Sequence, residues 1–359
     1  MIEVSSLSPA SLRSTTALHE ADTARLRPRE QPGHDTTSAF PHLRADLDRV
    51  RGLLTAIDVP GRDGMADLLH SRPDATRRWI RPRLTLLAYY AVAGVQRPAS
   101  NEAVRAAAGC ELMHVASLCH DDILDDAPLR RGKPSVNARW GPQLALLAGD
   151  FLITTAWALF AEIGARPALA AAQAGQEMTR GVILEAADRY ALPRTESTYF
   201  DVIRGKTAAL TELAARLGAM QAQGDHSVEN AVAEFGLQLG TAYQLYDDVI
   251  DLLATKDELG KPINKDIPNG IYTLPVLRAL PSTPELLHLL HRDMSARHAE
   301  RARQLVVASG AVEEVRGLAQ QMIDGGLSKL EDQAAIDPAA AAGLAWHARS
   351  LVRPAPAAT

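Results

Sequence analysis

Cysteine is almost missing from this chain of 359 residues, which has only Cys110 and Cys119. The two stand nine residues apart in a segment that reads as one helix, so their separation is roughly 13 Å along the axis, beyond the reach of a disulfide. No CxxC pair points to zinc, and two buried thiols in a reducing compartment are expected. Aromatic residues are also scarce, at 4%, and β-branched runs are few, so no segment shows the alternation of a strand. Positive charge is not in excess. A formal net charge of -5 gives no broad basic field for nucleic acid, although local arginines can still bind a small phosphate.

No targeting segment is expected either. Residues 1–40 mix Ser, Thr, Pro and Arg with Glu3, Glu20, Asp22 and Glu30, which spoils both a signal peptide and an acid-poor transit peptide. They are expected to be a disordered extension of a cytoplasmic protein. One long apolar run, Leu144 to Phe160, is short for a membrane span and carries Asp150, whose cost in mid-bilayer is about 2.5 to 3.5 kcal/mol. A buried bundle helix is expected there, with no transmembrane segment.

What is present is helix. Ala, Leu, Glu and Arg dominate window after window from about Leu43 to Arg349. Breaks are predicted at Pro60-Gly61, Pro98 to Asn101, Gly141-Pro142, Pro193, Gly224-Asp225, Pro281 to Pro284 and Gly325-Gly326. No Gly/Ser/Pro linker and no repeat divides the middle, so residues 41–350 are expected to form one large all-α bundle, followed by a frayed tail over 351–359.

Two acidic motifs share one spacing: Asp121, Asp122 and Asp125, then Asp247, Asp248 and Asp251. Each follows an apolar helical approach. Residues four apart stack on one face, and crowded carboxylates repel unless a cation sits between them, a task suited to Mg²⁺ shared with a phosphate. A single such motif is weak, being compatible with a solvated helix end, whereas its repetition points to two helices facing one interior. Arg130-Arg131-Gly132, and Arg78 and Arg81 just before the helix-starting Pro82, are candidate phosphate contacts or surface charge. Gly205-Lys206-Thr207 is not a P-loop, because Phe200 stands where the earlier glycine belongs and no strand precedes it.

Taken together these residues resemble the trans-polyprenyl diphosphate synthase family, from roughly Arg78 to Leu280. The matching blocks are ELMHVASLCHDDILDD from Glu111, RRGKPS from Arg130, AGDFL from Ala148, RGKTAAL from Arg204, GTAYQLYDDVIDL from Gly240 and GKPINKDIPNGIYTLPVL from Gly260. The resemblance implies the all-α isoprenoid synthase type I fold around a central apolar cavity, and a Mg²⁺-dependent prenyltransferase working as a homodimer. Its substrates would be isopentenyl diphosphate and an allylic diphosphate. Asp121, Asp122, Asp125, Asp247, Asp248 and Asp251 would organise several Mg²⁺ ions. Arg130, Lys206, Gln244 and Lys261, with Thr207 beside them, would contact the allylic diphosphate. Arg78, Arg81, His114 and Arg131 would hold isopentenyl diphosphate. Two departures stand out: Thr76-Arg77-Arg78 replaces the family's Gly-Gly-Lys, and Ile271 stands where a lysine is usual, unless Lys265 compensates.

Helical spacing places Ser117 one turn and Met113 two turns below Asp121, with Ala116 alongside. By resemblance, small residues at 116 and 117 let the product grow beyond fifteen carbons. A geranylgeranyl diphosphate synthase is the alternative reading. A class I terpene cyclase explains one motif but not the second, an HD-type phosphohydrolase at His120-Asp121 leaves Asp247 to Asp251 unexplained, and a non-catalytic partner subunit would not keep both aspartate sets.

Overall fold

Polar residues ahead of apolar runs start the helices. The structure, a computed structural model, describes residues 40–59, 79–130, 133–192, 194–253 and 264–352. Helices α1 (Leu43–Thr55) and α2 (Ile80–Ala93) precede the long α3 (Asn101–Leu124). The Ser100 hydroxyl accepts from the Ala103 N–H, satisfying a first-turn donor of α3. A hairpin of β1 (Leu129–Arg130) and β2 (Lys133–Pro134) leads to α4 (Val136–Trp140) and to α5 (Pro142–Ile163), which begins on its proline. Helix α6 (Ala165–Ala187) is followed by α7 (Glu196–Ile203), a π-helical turn over Arg204–Ala208, and α8 (Ala209–Gln221). Then come α9 (His226–Leu253), α10 (Leu274–Ala279), α11 (Glu285–Leu289), α12 (Ala296–Ala308), α13 (Ala311–Glu331) and α14 (Pro338–Leu351).

Packing follows from which helices are apolar on several sides. Helix α3 buries Ala103, Ala106, Ala107, Cys110, Met113 and Ala116 and lies along α5, while α9 is clasped between α8 and α13, and α2 lies on α8. The Phe160 ring of α5 fills the space over Gly109 of α3, where a Cβ would stand only 2.6 Å from it. Both cysteines are free and buried, and burial pushes each thiol up to about 12.

Four expectations need correction. A strand pair exists, Leu129 opposite Pro134 and Arg130 opposite Lys133, but its two-residue strands are too short to show alternation in sequence. Gly325-Gly326 does not break a helix, because α13 runs through it; Gly326 instead permits close packing, since a Cβ there would meet Gln238 Oε1 at 2.8 Å and Phe235 at 3.2 Å. Pro82 does not open α2, which starts at Ile80 after the left-handed Trp79 (φ 40°) and carries the proline harmlessly in its first turn. Finally, α5 is only partly covered. It is the one helix among the described residues long and apolar enough to cross a membrane, and 33% of that stretch is buried, with Leu146, Leu147 and Trp157 exposed. The expectations for residues 1–39, Pro60-Gly61, Pro193 and residues 353–359 lie outside the described residues.

Candidate active site

Both acidic motifs sit at the C-terminal ends of helices. Asp121 and Asp122 occupy the last turn of α3, and Asp125 caps it, its N–H still bonded to the Asp121 carbonyl at 2.9 Å. Asp247, Asp248 and Asp251 end α9. Negative charge there opposes the helix dipole, at roughly 0.3–1 kcal/mol per group. Helix stability therefore does not explain these residues, and nearby cations must.

At the first motif the cations are arginines. Asp122, only 2% exposed, accepts Arg130 Nε and Nη2 at 2.8 and 2.5 Å, with Arg130 presented by the hairpin. Asp125 accepts Arg189 Nη2 at 3.0 Å. Burial pushes Asp122 above the ordinary carboxylate range, and Arg130 opposes the shift. Burial also raises Asp121, where Lys206 and Arg130 pull down against the like charges of Asp125 and Glu185.

At the second motif Asp248 and Asp251 accept their hydrogen bonds from neutral donors. Asp248 is buried, and desolvation raises its carboxyl to about 7 although it accepts hydrogen bonds from Tyr199 and Gln244. The Thr207 hydroxyl donates to Gln244 Oε1 at 2.6 Å, and Gln244 Nε2 donates to Asp248 Oδ1 at 2.8 Å, so three residues singled out in the sequence form one chain. Asp251 accepts the backbone N–H groups of Lys265 and Asp266 at 3.1 and 3.3 Å. Burial, then the charges of Asp251, Asp248 and Asp247, push Asp266 well above the ordinary range. Sequence reasoning passed over Asp266, Tyr199, Glu185 and Arg189. Only Asp266 had a signal there, as the acid in the block after the second motif.

Lys206 connects the two ends. It lies in the π-helical turn, a geometry frequent at functional sites, pressed against α6 through two glycines. A Cβ on Gly181 would meet the Lys206 backbone N at 2.3 Å, and one on Gly205 would meet the Glu177 carbonyl at 2.5 Å. The ammonium pairs with Glu185 at 2.5 Å. Burial lowers its pKa, but Glu185, then Asp121 and Asp125, more than offset this, and the net shift is upward. The same ammonium acts on Asp248 and Asp266. One lysine is thus felt by both acidic helix ends.

The remaining candidates divide. Arg81 lies in the first turn of α2, and its charge reaches Cys110, one turn below the half-buried His114. Met113 and Ala116 are buried, Met113 lying toward α6, where a Cβ on Gly175 would be 3.7 Å from its Cε. Ser117 is half-buried and donates to the His114 carbonyl at 2.9 Å. Lys265 places its charge near Asp251, on the segment that carries Ile271. Arg78, Arg131 and Lys261 lie outside the described residues. Among the described residues no three His, Cys, Asp or Glu side chains converge tightly enough to hold an ion in the present arrangement. Their donor set nevertheless fits a hard divalent cation: carboxylate oxygens from two helices, raised in pKa by burial. A separate cleft of about 450 Å³ between α6 and α8 contains none of these aspartates. Its Arg166 and Arg216 are spent on the buried Glu229, at 2.9 and 3.5 Å.

Comparison with known proteins gives a consistent picture. The family model described as polyprenyl synthetase matches residues 68–308. Heptaprenyl diphosphate synthase component 2 of Bacillus subtilis is 33% identical over 61% of this chain, a match that spans 64% of that protein, a little under two thirds. Nonaprenyl diphosphate synthase of Mycobacterium tuberculosis is 35% identical over 66% of this chain and 70% of its own length. Among solved structures, a polyprenyl synthase from Caulobacter crescentus complexed with calcium and isoprenyl diphosphate superposes with a TM-score of 0.78 at 30% identity, covering 91% of this chain and 100% of that one.

Proposed function

This chain belongs to the polyprenyl synthetase family and has its all-α fold, and from that premise we propose that it condenses isopentenyl diphosphate with an allylic diphosphate into a trans-polyprenyl diphosphate longer than fifteen carbons. The observation that carries this reading is the family match over residues 68–308, which spans both acidic helix ends and Lys206. A site with acid on two sides and an ammonium between them suits a diphosphate and the cations that accompany it.

In this reading Asp121, Asp122, Asp125, Asp247, Asp248 and Asp251 hold Mg²⁺, which when bound neutralises the diphosphate and makes it a better leaving group. The calcium and isoprenyl diphosphate named for the Caulobacter crescentus structure support a divalent cation there. Lys206, Thr207, Gln244, Arg130 and Lys261 bind the allylic diphosphate. Lys206 and Arg130 meet the charge that grows on the departing oxygen, where preorganised donors contribute most. The allylic carbon so freed is attacked by the terminal alkene carbon of isopentenyl diphosphate, which Arg78, Arg81, His114 and Arg131 hold beside it. Loss of a proton to the released diphosphate completes the step.

The lengthening chain would run down α3 from Asp121 past Ser117 and Ala116. The buried Met113 lies two turns below Asp121 along that course. A homodimer is the proposed assembly. The exposed Leu146, Leu147 and Trp157 of α5 and Leu169 and Ile183 of α6 form an apolar surface of the kind that association covers. Two free buried thiols accord with the cytoplasm.

The test is to incubate the purified chain with Mg²⁺, isopentenyl diphosphate and allylic primers of graded length, and to weigh the products. Condensed products beyond fifteen carbons are expected, and Ser117→Phe shortens them. Products made from the allylic diphosphate alone would replace this reading with a cyclase, and unchanged lengths in Ser117→Phe would remove the tunnel from beneath the first motif.

A further inference from the structure

Neither the acidic motifs nor the blocks around them include the turn that follows α6, yet that turn touches both ends of the site. Asp188 caps α6 and pairs with Arg194 Nε at 3.2 Å. Arg189 Nη2 reaches Asp125 of the first motif at 3.0 Å. Tyr190, in the left-handed region at φ 61°, turns the other way. Its N–H bonds the Gly270 carbonyl at 2.9 Å and its hydroxyl the Pro268 carbonyl at 3.1 Å. Gly270 lies flush against the ring, where a Cβ would be 2.4 Å away, and the Arg292 guanidinium sits 4.7 Å from the ring centroid. Residues 264–270 are the segment whose backbone caps Asp251. The backbone carrying Arg189 is thereby anchored on one side by Asp188 and on the other by Tyr190, and its side chain reaches Asp125 from that anchored turn.

That side chain is incompletely used. Arg189 Nε is buried without a hydrogen-bond partner, and one of its terminal nitrogens rests on a carboxylate which the proposed reading gives to a divalent cation. A guanidinium offers five donors in a planar fork suited to phosphate oxygens. We propose that Arg189 is a further diphosphate-binding residue, held in reserve by Asp125. When a divalent cation takes Asp125, the guanidinium is released onto the diphosphate oxygens that enter with the cation. This deepens the reading above and rests on it. The two functions pull in opposite directions, since Arg189 competes with the cation for Asp125 before diphosphate arrives and helps hold diphosphate afterwards.

Calorimetry separates them without turnover. For the wild type and for Arg189→Gln, the experiment measures Mg²⁺ binding alone, and then inorganic pyrophosphate binding at saturating Mg²⁺. The variant should bind Mg²⁺ alone more tightly and pyrophosphate about tenfold or more weakly, the scale of a lost charge-assisted hydrogen bond. Arg189→Lys, which keeps the charge but not the fork, should restore the wild-type Mg²⁺ affinity and only part of the pyrophosphate affinity. A merely structural ion pair would instead weaken both bindings together or leave pyrophosphate untouched, and either result overturns the assignment. If Arg189→Gln does not fold, the lysine variant decides: full pyrophosphate affinity there overturns the proposal. A wild-type protein that binds no pyrophosphate at any Mg²⁺ concentration brings down the active-site reading itself, and this proposal with it.

Discussion

At the end of α3 the aspartates are balanced by guanidinium groups, Arg130 on Asp122 and Arg189 on Asp125, whereas at the end of α9 Asp248 and Asp251 rest on a phenol, an amide and backbone N–H groups. The first motif is neutralised by charge, and the second by hydrogen bonds and, for Asp248, by a carboxyl that burial raises to about 7. The same five-residue spacing thus ends in two electrostatic states. In the proposed reading, a divalent cation competes with an arginine at the first end and, toward acid pH, with the proton that burial favours on Asp248 at the second. The charge of Lys206 acts on Asp121 and on Asp248, and the proposed reading joins the two ends through it.

The largest expected effect tests whether both ends serve one reaction. Asp121→Ala and Asp247→Ala should each lower turnover by about three orders of magnitude, the scale of removing a preorganised electrostatic contribution, while circular dichroism stays unchanged. Turnover lost at one end only would show that the comparison joins a site to a bystander. A smaller effect is read by pH, with Asp248 as its best-defined source. With Asp248 near 7 in the folded protein and about 3.9 unfolded, the native state binds more protons between those values. The resulting stability is full below about pH 4 and is lost as pH rises through about 7. Asp266 and Asp251, raised in the same direction by burial, add to the trend. Thermal melts in chelator should therefore decline toward neutral pH, and Asp248→Asn should flatten the decline. Mg²⁺ affinity with pyrophosphate should rise with pH up to about 7, because a ligand must lose its proton. A pH-independent melt and affinity would mean that Asp248 is already ionised.

How much of this was legible in the sequence depends on the range of the interaction involved. Caps and breaks such as Ser100, Gly141-Pro142 and Asp225 are local chemistry, and they start helices where the residues say. Repeated Asp spacing is local as well, and it located both acidic ends. Long-range partners left no pattern: Glu185 meets Lys206, and Tyr199 meets Asp248, across helices whose approach cannot be read from either segment. Gly325-Gly326 shows the same limit in reverse, since glycine signals a break by propensity but serves here to admit Phe235 and Gln238 of α9. The partly covered α5 reads as a core helix by composition, and only the fold shows which face the bundle leaves open.

The smallest prediction concerns the connection between the two ends rather than the ends themselves. Gly181 and Gly317 are both glycines inside helices, and by propensity alone alanine should stabilise either by about 0.8–1.0 kcal/mol. Their surroundings differ. A Cβ at Gly317 meets nothing within 4 Å, whereas at Gly181 it falls 2.3 Å from the Lys206 backbone N and 2.8 Å from the Val202 carbonyl. Backbone cannot move aside as a side-chain tip does, so Gly181→Ala should cost about 1–3 kcal/mol through overpacking, while Gly317→Ala gains. Thermal melts of the two variants should therefore shift in opposite directions. The displaced π-helical turn should also weaken pyrophosphate binding in Gly181→Ala, because Lys206 moves with its backbone. If the melting temperature falls but pyrophosphate affinity is kept, the π turn sets only packing, and the two acidic ends must be joined by something other than Lys206.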